Sequence, residues 1–297
     1  MKTEPQRTQR KLLFKFSLLN FVRLLFPVLC CLFTQKGILS AEVTTTASGI
    51  YLKAQENGLP IGIANGKVLN PEFEYAWGFR VGFGYALPHD FWDIELRYTH
   101  IHNNAWSENK GVIYPSWSVG VFDKEKTHWR LHLGVIDLEL LRYSFNTSCF
   151  HLRPHFGART AWIRQKFNVN YGDEECFTSK NKFWGMGLMG GLNGEWYLFR
   201  EFSLNFDTAY SLLAGQFYLH EHNDYRVRNT FNQTASIVDL ALGPKWELGN
   251  FSLAWAWENH FYFNQNQLVH FTSKDSFFSN QGDIFLQGWS FKFCYAF

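Results

Sequence analysis

The chain has 297 residues, a length that fits one large domain or two smaller ones. Aromatic residues make up 19% of it and charged residues only 18%, below the roughly 25% of an ordinary soluble domain, so many aromatic side chains must lie against something apolar. The hydrophobic fraction of 46% excludes a disordered chain, and the formal net charge of +2 gives no reason to expect nucleic acid as a partner.

The first 41 residues are typical of a targeting segment. Six basic residues precede an apolar core, Leu24 to Phe33, and small residues follow at Ser40 and Ala41. We expect residues 1–41 to be a signal peptide cleaved after Ala41. The alternative is an uncleaved anchor, although ten apolar residues are short for a membrane span.

The remaining segment, 42–297, is expected to form one exported domain. It holds Cys149, Cys176 and Cys294, an odd number that rules out a complete set of internal disulfides. Cys176 falls in a predicted external loop, where it is free to cross-link a neighbouring molecule.

Residues 75–87 alternate strictly between bulky apolar side chains and small or polar ones. Tyr75, Trp77 and Phe79 begin the apolar series, and Arg80 stands in the opposite series. A period of two over this length predicts a β-strand, because the side chains of a strand point alternately to opposite faces. Similar alternation predicts ten strands in all. In chain order they are 47–55, 75–87, 91–103, 127–144, 149–171, 183–198, 202–218, 234–248, 251–264 and 283–297.

Segment 127–144 changes the parity of its apolar residues part-way along. Trp129 and Val135 lie on odd positions, whereas Ile136 and Leu140 lie on even ones. One extra residue would restore a single apolar face, so we predict a β-bulge near Gly134.

The connections between predicted strands alternate between short and long. The short ones are 87–90, 145–148, 199–201 and 249–250, and the long ones are 56–74, 104–126, 172–182, 219–233 and 265–282. Outer-membrane barrels have short periplasmic turns, longer external loops and aromatic girdles. The pattern predicts an all-β fold, a transmembrane antiparallel barrel of about ten strands. Twelve strands are possible if Asn65-Gly66 forms a hairpin and 112–122 a further strand.

The last predicted strand has aromatic side chains on one face. Phe291, Phe293, Tyr295 and Phe297 belong to this series. A C-terminal strand of this form is similar to the signal read by the barrel-assembly machinery, which together with outer-membrane lipid is an expected partner. Pairing with the first strand would remove an aggregation-prone edge.

Several blocks of sequence resemble a known family. They are Tyr75 to Tyr85 (YAWGFRVGFGY), His89 to Thr99 (HDFWDIELRYT), Trp129 to Leu140 (WRLHLGVIDLEL), Leu152 to Ile163 (LRPHFGARTAWI) and Ser211 to Gly215 (SLLAG). These blocks resemble the Legionella-type major outer membrane protein family, which also occurs in chlamydia-related bacteria. The resemblance covers roughly 75–297. It implies a pore-forming barrel in the bacterial cell outer membrane with surface loops for attachment, and it supplies no catalytic residues.

Charged residues recur at the positions that parity assigns to the barrel interior. They are Arg80, Asp93, Glu95, Arg97, Asp137, Glu139, Arg153, His155, Arg159, Glu195, Asp207, Lys245, Glu258, His260 and Lys292. We expect them to line a narrow charged channel for small solutes or ions. The alternative is that they pair and fill the lumen, because open aqueous channels usually need 16–18 strands. The protein would then be a surface adhesin on host cells or a structural barrel.

No cofactor or metal is expected, and we predict that the protein is not an enzyme. His151 and His155 share a face but lie about 13 Å apart, too far to bind one ion. A less favoured hypothesis is an outer-membrane protease, with His220, Glu221, His222 and Asp224 as acid–base groups above the barrel.

Overall fold

A computed structural model describes residues 43–88, 92–118, 120–142, 144–172, 175–199, 201–222, 226–273 and 276–297. Side chains at 175–176, 269–273 and 276–280 are outside this description, and so is the predicted signal peptide, 1–41. In the described part of the chain, no helix has the length and apolar character needed to span a membrane.

The described residues form a single antiparallel sheet, and ten of its strands close into a ring. The prediction of a ten-stranded transmembrane barrel is therefore confirmed. The ring strands are β1 (Val43–Glu56), β5 (Tyr75–Ala86), β6 (Trp92–Pro115), β7 (Phe122–Arg142), β9 (Phe150–Tyr171), β10 (Glu175–Tyr197), β11 (Phe202–His222), β12 (Arg226–Leu248), β13 (Phe251–Ser273) and β14 (Ser276–Ala296). Each pairs with its neighbours in this order, and β14 pairs with β1.

Four short strands lie outside the ring: β2 (Gly62–Ala64), β3 (Lys67–Leu69), β4 (Glu72–Phe73) and β8 (Phe145–Asn146). β2 and β3 form the predicted hairpin, whose turn residues Asn65 and Gly66 have φ angles of 51° and 76°, as a type I′ turn requires. The hairpin adds to β6 without entering the ring, and residues 112–115 belong to β6 itself. The barrel therefore has ten strands rather than twelve.

The ring strands extend far into the predicted long loops. β6 and β7 together cover 104–126 except for residues 116–121, and the other long connections after 171 are shortened in the same way. The predicted boundaries of these loops are therefore wrong. The cause is the polar outer surface of the strand extensions, which weakens the alternation that marks a membrane strand.

The predicted β-bulge at Gly134 is also wrong. Gly134 pairs with His100 on one side and Trp162 on the other without a shift in register. Odd positions of β7 are buried from Glu125 to Leu141, so the strand keeps one inward face throughout. The apolar residues change parity because the surroundings change, from an apolar interior at one end to lipid outside at the other.

The change of surroundings along the strands divides the barrel into a membrane half and an external half. In the membrane half, between the short turns and the level of Trp162 and Trp184, most outward side chains are apolar. Leu188 on this face is 76% exposed. In the external half, beyond those tryptophans, the interior becomes apolar and the outer face becomes polar. Barrels of this class place the short turns in the periplasm, so the external half projects outwards from the cell.

The ring closes where β14 pairs with β1 from Ala296 opposite Thr44 to Ile284 opposite Glu56. The backbone N–H of Phe297 donates a hydrogen bond to the carbonyl of Val43 at 2.9 Å. Cys149 and Cys294 are free thiols. The side chain of Cys176 lies outside the described residues, so its predicted cross-linking stays a prediction.

Candidate functional site: the barrel interior

The interior of the membrane half is assembled from charged side chains on neighbouring strands. In direct register, Arg97 on β6 faces Asp137 on β7, which faces Arg159 on β9. Opposite charges in directly opposed positions stabilise a sheet, so this register favours the observed pairing. We call the whole set of inward ion pairs the charge layer.

Arg159 lies near the centre of the charge layer and is 4% exposed. Its Nε and Nη2 donate to the two oxygens of Asp137, at 2.6 and 3.0 Å, and its Nη1 donates to Asp239 on the far side of the lumen. Arg97 also donates to Asp137, at 3.4 Å, and to Glu139. The guanidinium groups therefore tie β6, β7, β9 and β12 together across the lumen.

A second group of ion pairs continues the charge layer. The guanidinium of Arg80 binds both oxygens of Glu258, each at 2.9 Å. The ring of His260 lies between two carboxylates, with Nε2 2.9 Å from Glu258 and Nδ1 2.7 Å from Asp239. His260 thus connects the Arg80 pair to the Arg159 group in one network.

Further pairs lie closer to the periplasm. Nδ1 of His155 is 2.8 Å from Glu139, and its Nε2 is 3.7 Å from Asp207. Lys245 lies 2.9 Å from Glu195 and 2.6 Å from Glu247, and Arg153 donates to Asp93. Charges in a narrow interior need partners or water, and the pairing supplies many of the partners.

Two cavities inside the membrane half of the described barrel bear on the passage of solutes. One of about 70 Å³ lies within the charge layer, bounded by Arg80, Arg159, Asp239 and Tyr262 among others, and has room for only a few water molecules. The other, of about 430 Å³, lies at the short-turn end and is lined by polar groups such as Asn193 and Lys292. The lumen is therefore widest on the periplasmic side and narrows towards the ion pairs around Arg159.

An apolar core occupies the part of the external half that lies directly beyond the charge layer. On β7, the inward positions change from Glu139 and Asp137 to Val135, Leu133, Leu131 and Trp129, and the apolar residues are at most 4% exposed. Other strands contribute to the same core. Its members include Ile50, Leu52, Ile163, Phe167, Leu213, Phe217, Ile237, Tyr262, Ile284 and Leu286. This core separates the charge layer from the outside of the cell.

The loop after β1 covers the external mouth of the barrel. Leu59 and Ile61 are buried in the apolar core, and the indole N–H of Trp117 donates to the carbonyl of Pro60 at 2.6 Å. The ring of Trp117 stacks on Phe177, with centroids 4.7 Å apart. Loop residues therefore join strand residues in closing the mouth.

Glu56 is a buried carboxyl inside the external half. The indole N–H of Trp129 donates to it. The side-chain amide of Gln165, assigned with its nitrogen towards Glu56, lies 2.6 and 2.9 Å from the two carboxyl oxygens. Glu56 lies five residues beyond the lipid-facing Tyr51, outside the membrane-spanning segment. Burial raises the pKa of Glu56 to about 8, and the hydrogen bond from Trp129 opposes this only in part.

The structure places the predicted lumen residues in three groups. Around the 70 Å³ cavity lie Arg80, Arg97, Asp137, Arg159, Asp207, Glu258 and His260. Around the 430 Å³ cavity lie Asp93, Glu95, Arg153, Glu195, Lys245 and Lys292, with Asp207 again. Glu139 and His155 form a buried pair within the network. The expectation that these residues line a conducting channel stays a prediction.

Asp239 is not among the predicted lumen residues, yet it accepts from both Arg159 and His260. The alternation along β12 indicates its position. Val238, Leu240 and Leu242 form the lipid-facing series, so Asp239 lies on the inward face.

The aromatic residues proposed as an insertion signal lie on the outer face of β14. Phe291 stacks on Trp255 of β13 with centroids 5.7 Å apart, and Tyr295 lies 4.6 Å from both Phe251 and Phe297. Phe293 also contacts Phe251. These contacts join β13 to the closing strand.

The residues of the protease hypothesis are not brought together. Glu221 is buried and points inwards, whereas His220 and His222 are on the outer face of β11. Asp224 lies outside the described residues.

A known outer-membrane structure shares this architecture. The outer membrane protease OmpT from Escherichia coli is similar, with a TM-score of 0.54 and 13% identity over 88% of this chain and 99% of that one. A major outer membrane protein from Thermus thermophilus has a TM-score of 0.36 and 12% identity over 87% of this chain and 100% of that one. At these identities the likeness to OmpT supports the fold alone. No curated protein matches the chain.

The sequence also matches a family model. The model for the Legionella pneumophila major outer membrane protein precursor matches residues 38–297, which include the whole barrel. Its description places the chain in the bacterial outer membrane, as the sequence predicts. The chain therefore belongs to the Legionella pneumophila major outer membrane protein family.

Proposed function

We propose that this outer-membrane barrel has a closed lumen, is not an enzyme, and acts through the surface of its external half. The observation that carries the proposal is the apolar core between the charge layer and the outside, in which Trp129, Leu131 and Phe217 are at most 1% exposed. A hydrated solute would have to displace these side chains, at the cost of breaking a close-packed interior. The ion pairs on the periplasmic side of this core then have a structural role.

The external surface offers a place for a partner to bind. At the tip, β3, β2 and β6 pair so that Val68, Ile63 and Tyr114 lie side by side in one row. These three side chains are 58%, 47% and 57% exposed, far from the lipid belt. Exposed apolar patches on a water-facing surface are typical of interaction sites. This favours a surface adhesin over a purely structural barrel.

Conductance tests the closed lumen. We expect the refolded barrel to give no discrete current steps in repeated planar-bilayer insertions. A variant with Trp129→Ser and Phe217→Ser should gain small steps, because it removes two of the largest fully buried side chains of the core. Heat-modifiable migration on gels verifies folding of both proteins. Discrete steps in the unaltered protein would establish the narrow channel instead.

Attachment tests the tip surface. We expect Ile63→Ser, Val68→Ser and Tyr114→Ser together to lower adhesion of expressing bacteria to host cells at least fivefold, because the row loses its apolar contacts. Lys67→Ser with Asn70→Ser alters exposed residues of the same loop and should leave adhesion unchanged. Equal adhesion of both variants, at equal surface abundance, contradicts the adhesin proposal.

A further inference from the structure

A cluster of basic side chains lies on the outside of the barrel, immediately beyond the lipid belt. It consists of Arg130 on β7, Arg164 and Lys166 on β9, and Lys180 and Lys182 on β10, which we call the outer basic patch. Arg164, Lys180 and Lys182 are exposed, and Arg130 and Lys166 are half-buried.

The change from lipid-facing to basic side chains is abrupt. Along the outer face of β10, Leu188, Met186 and Trp184 are followed directly by Lys182 and Lys180. Two residues of a strand span about 6.6 Å, so the first cations lie within one side-chain length of the tryptophan level. Tryptophan is enriched where the hydrocarbon region meets the headgroups.

β9 repeats the same order, from Phe156 through Trp162 to Arg164 and Lys166. Trp162 and Trp184 are cross-strand partners, so the two strands reach the interface at the same point of the register. The patch therefore begins at headgroup level on both strands.

The register brings like charges together. Lys166 is the direct partner of both Arg130 and Lys180, and Arg164 is the direct partner of Lys182. Like charges in directly opposed positions destabilise a sheet. The described outward positions of β7, β9 and β10 beyond Trp162 contain no acidic residue.

The pKa values of two nearby histidines are lowered, by burial first and by neighbouring positive charge second. The pKa of His128 is lowered by burial and then by Arg130 and Lys166, and the pKa of His132 is lowered by burial and by neighbouring histidines and arginines.

The patch lies on one side of the barrel. Among the described outward positions of β14 and β1, Lys53 is the single cation.

We propose that the outer basic patch binds the phosphate groups of the phosphorylated glycolipid in the outer leaflet of the bacterial outer membrane. Guanidinium and ammonium groups make strong charge-assisted hydrogen bonds to phosphate, and a bound phosphate would neutralise the like charges. The patch faces sideways at the lipid boundary, which favours a lipid headgroup over a soluble polyanion approaching the tip. The inference is independent of whether the lumen conducts.

The test uses bisphosphorylated lipid A, titrated into the refolded barrel in zwitterionic micelles and followed by tryptophan fluorescence. We expect Arg164→Gln, Lys180→Gln and Lys182→Gln together to weaken the apparent Kd at least tenfold. The matched control, Lys53→Gln with Lys67→Gln and Lys110→Gln, removes the same charge elsewhere and should stay within twofold. Added salt should weaken binding to the unaltered protein much more than binding to the triple variant.

Further arms identify the ligand. Dephosphorylated lipid A should bind at least tenfold more weakly, and equal binding by it would overturn the proposal. Unchanged lipid A affinity in the triple variant would equally overturn it. Heparin, titrated in parallel, is the soluble polyanion. If the triple variant loses affinity for heparin alone, the proposal is overturned and the patch is assigned to a soluble polyanion. Lys180→Arg with Lys182→Arg retains both charges and should retain affinity, which separates loss of charge from misfolding.

Discussion

Replacing Arg159 with methionine should lower the free energy of unfolding by about 3–5 kcal/mol, the range found when one partner of a buried ion pair is removed. The side chain is 5% exposed and binds Asp137 and Asp239 at once. Without it, two carboxylates from different strands face each other across a narrow lumen. Urea unfolding in phosphatidylcholine vesicles, followed by tryptophan fluorescence, measures the loss.

Lys126→Met is the matched control, because Lys126 forms an exposed pair with Glu108 at 3.6 Å. Such pairs contribute less than about 1 kcal/mol. Adding Asp239→Asn to Arg159→Met should restore part of the stability by removing one of the carboxylates. If Arg159→Met costs no more than the control, the charge layer does not stabilise the barrel.

Replacing Glu56 with glutamine should stabilise the barrel in alkaline solution and flatten its pH dependence. The folded protein keeps the Glu56 proton up to about pH 8, whereas the unfolded chain releases it near the ordinary pKa of 4.5. Between these values the unfolded state binds fewer protons, so stability falls as the pH rises, by about 1.4 kcal/mol per pH unit, or on the order of 4–5 kcal/mol in full. Glutamine keeps the acceptor for Trp129 and has no proton to lose.

The measurement is urea unfolding at pH 5, 7 and 9. The difference between the variant and the unaltered protein should be small at pH 5 and largest at pH 9. Glu72→Gln, at an exposed position of β4, should leave the profile unchanged. A difference that does not grow with pH would show that Glu56 is not protonated in the folded barrel at neutral pH.

The membrane strands were predictable because lipid outside and charge inside impose opposite demands on alternate residues. The segment 75–87 follows this rule and forms β5, Tyr75–Ala86. The external half was not predictable in the same way. There the inner face carries Trp129 and Leu131 while the outer face carries His128 and Arg130, so the polarity of the two faces is reversed.

The change of parity at Gly134 illustrates the limit of periodicity. A bulge and an exchange of environments produce the same pattern along one strand, and only the register of both neighbours distinguishes them. The fifteen predicted lumen residues followed from parity, but their partners did not. Which arginine binds which aspartate depends on positions across the ring, and Arg80 and Glu258 are 178 residues apart.

Because β1 pairs with β14, the barrel can close only when its last strand is in place. Thr44 and Ala296 are cross-strand partners although almost the whole barrel sequence separates them, so the ring cannot close until the final strand has been delivered. Until then β1 and β13 both present unpaired backbone donors and acceptors. A polypeptide truncated before β14 would therefore have two unpaired strand edges. Periplasmic proteases and chaperones act on such surfaces, so incomplete copies would be removed before they reached the cell surface.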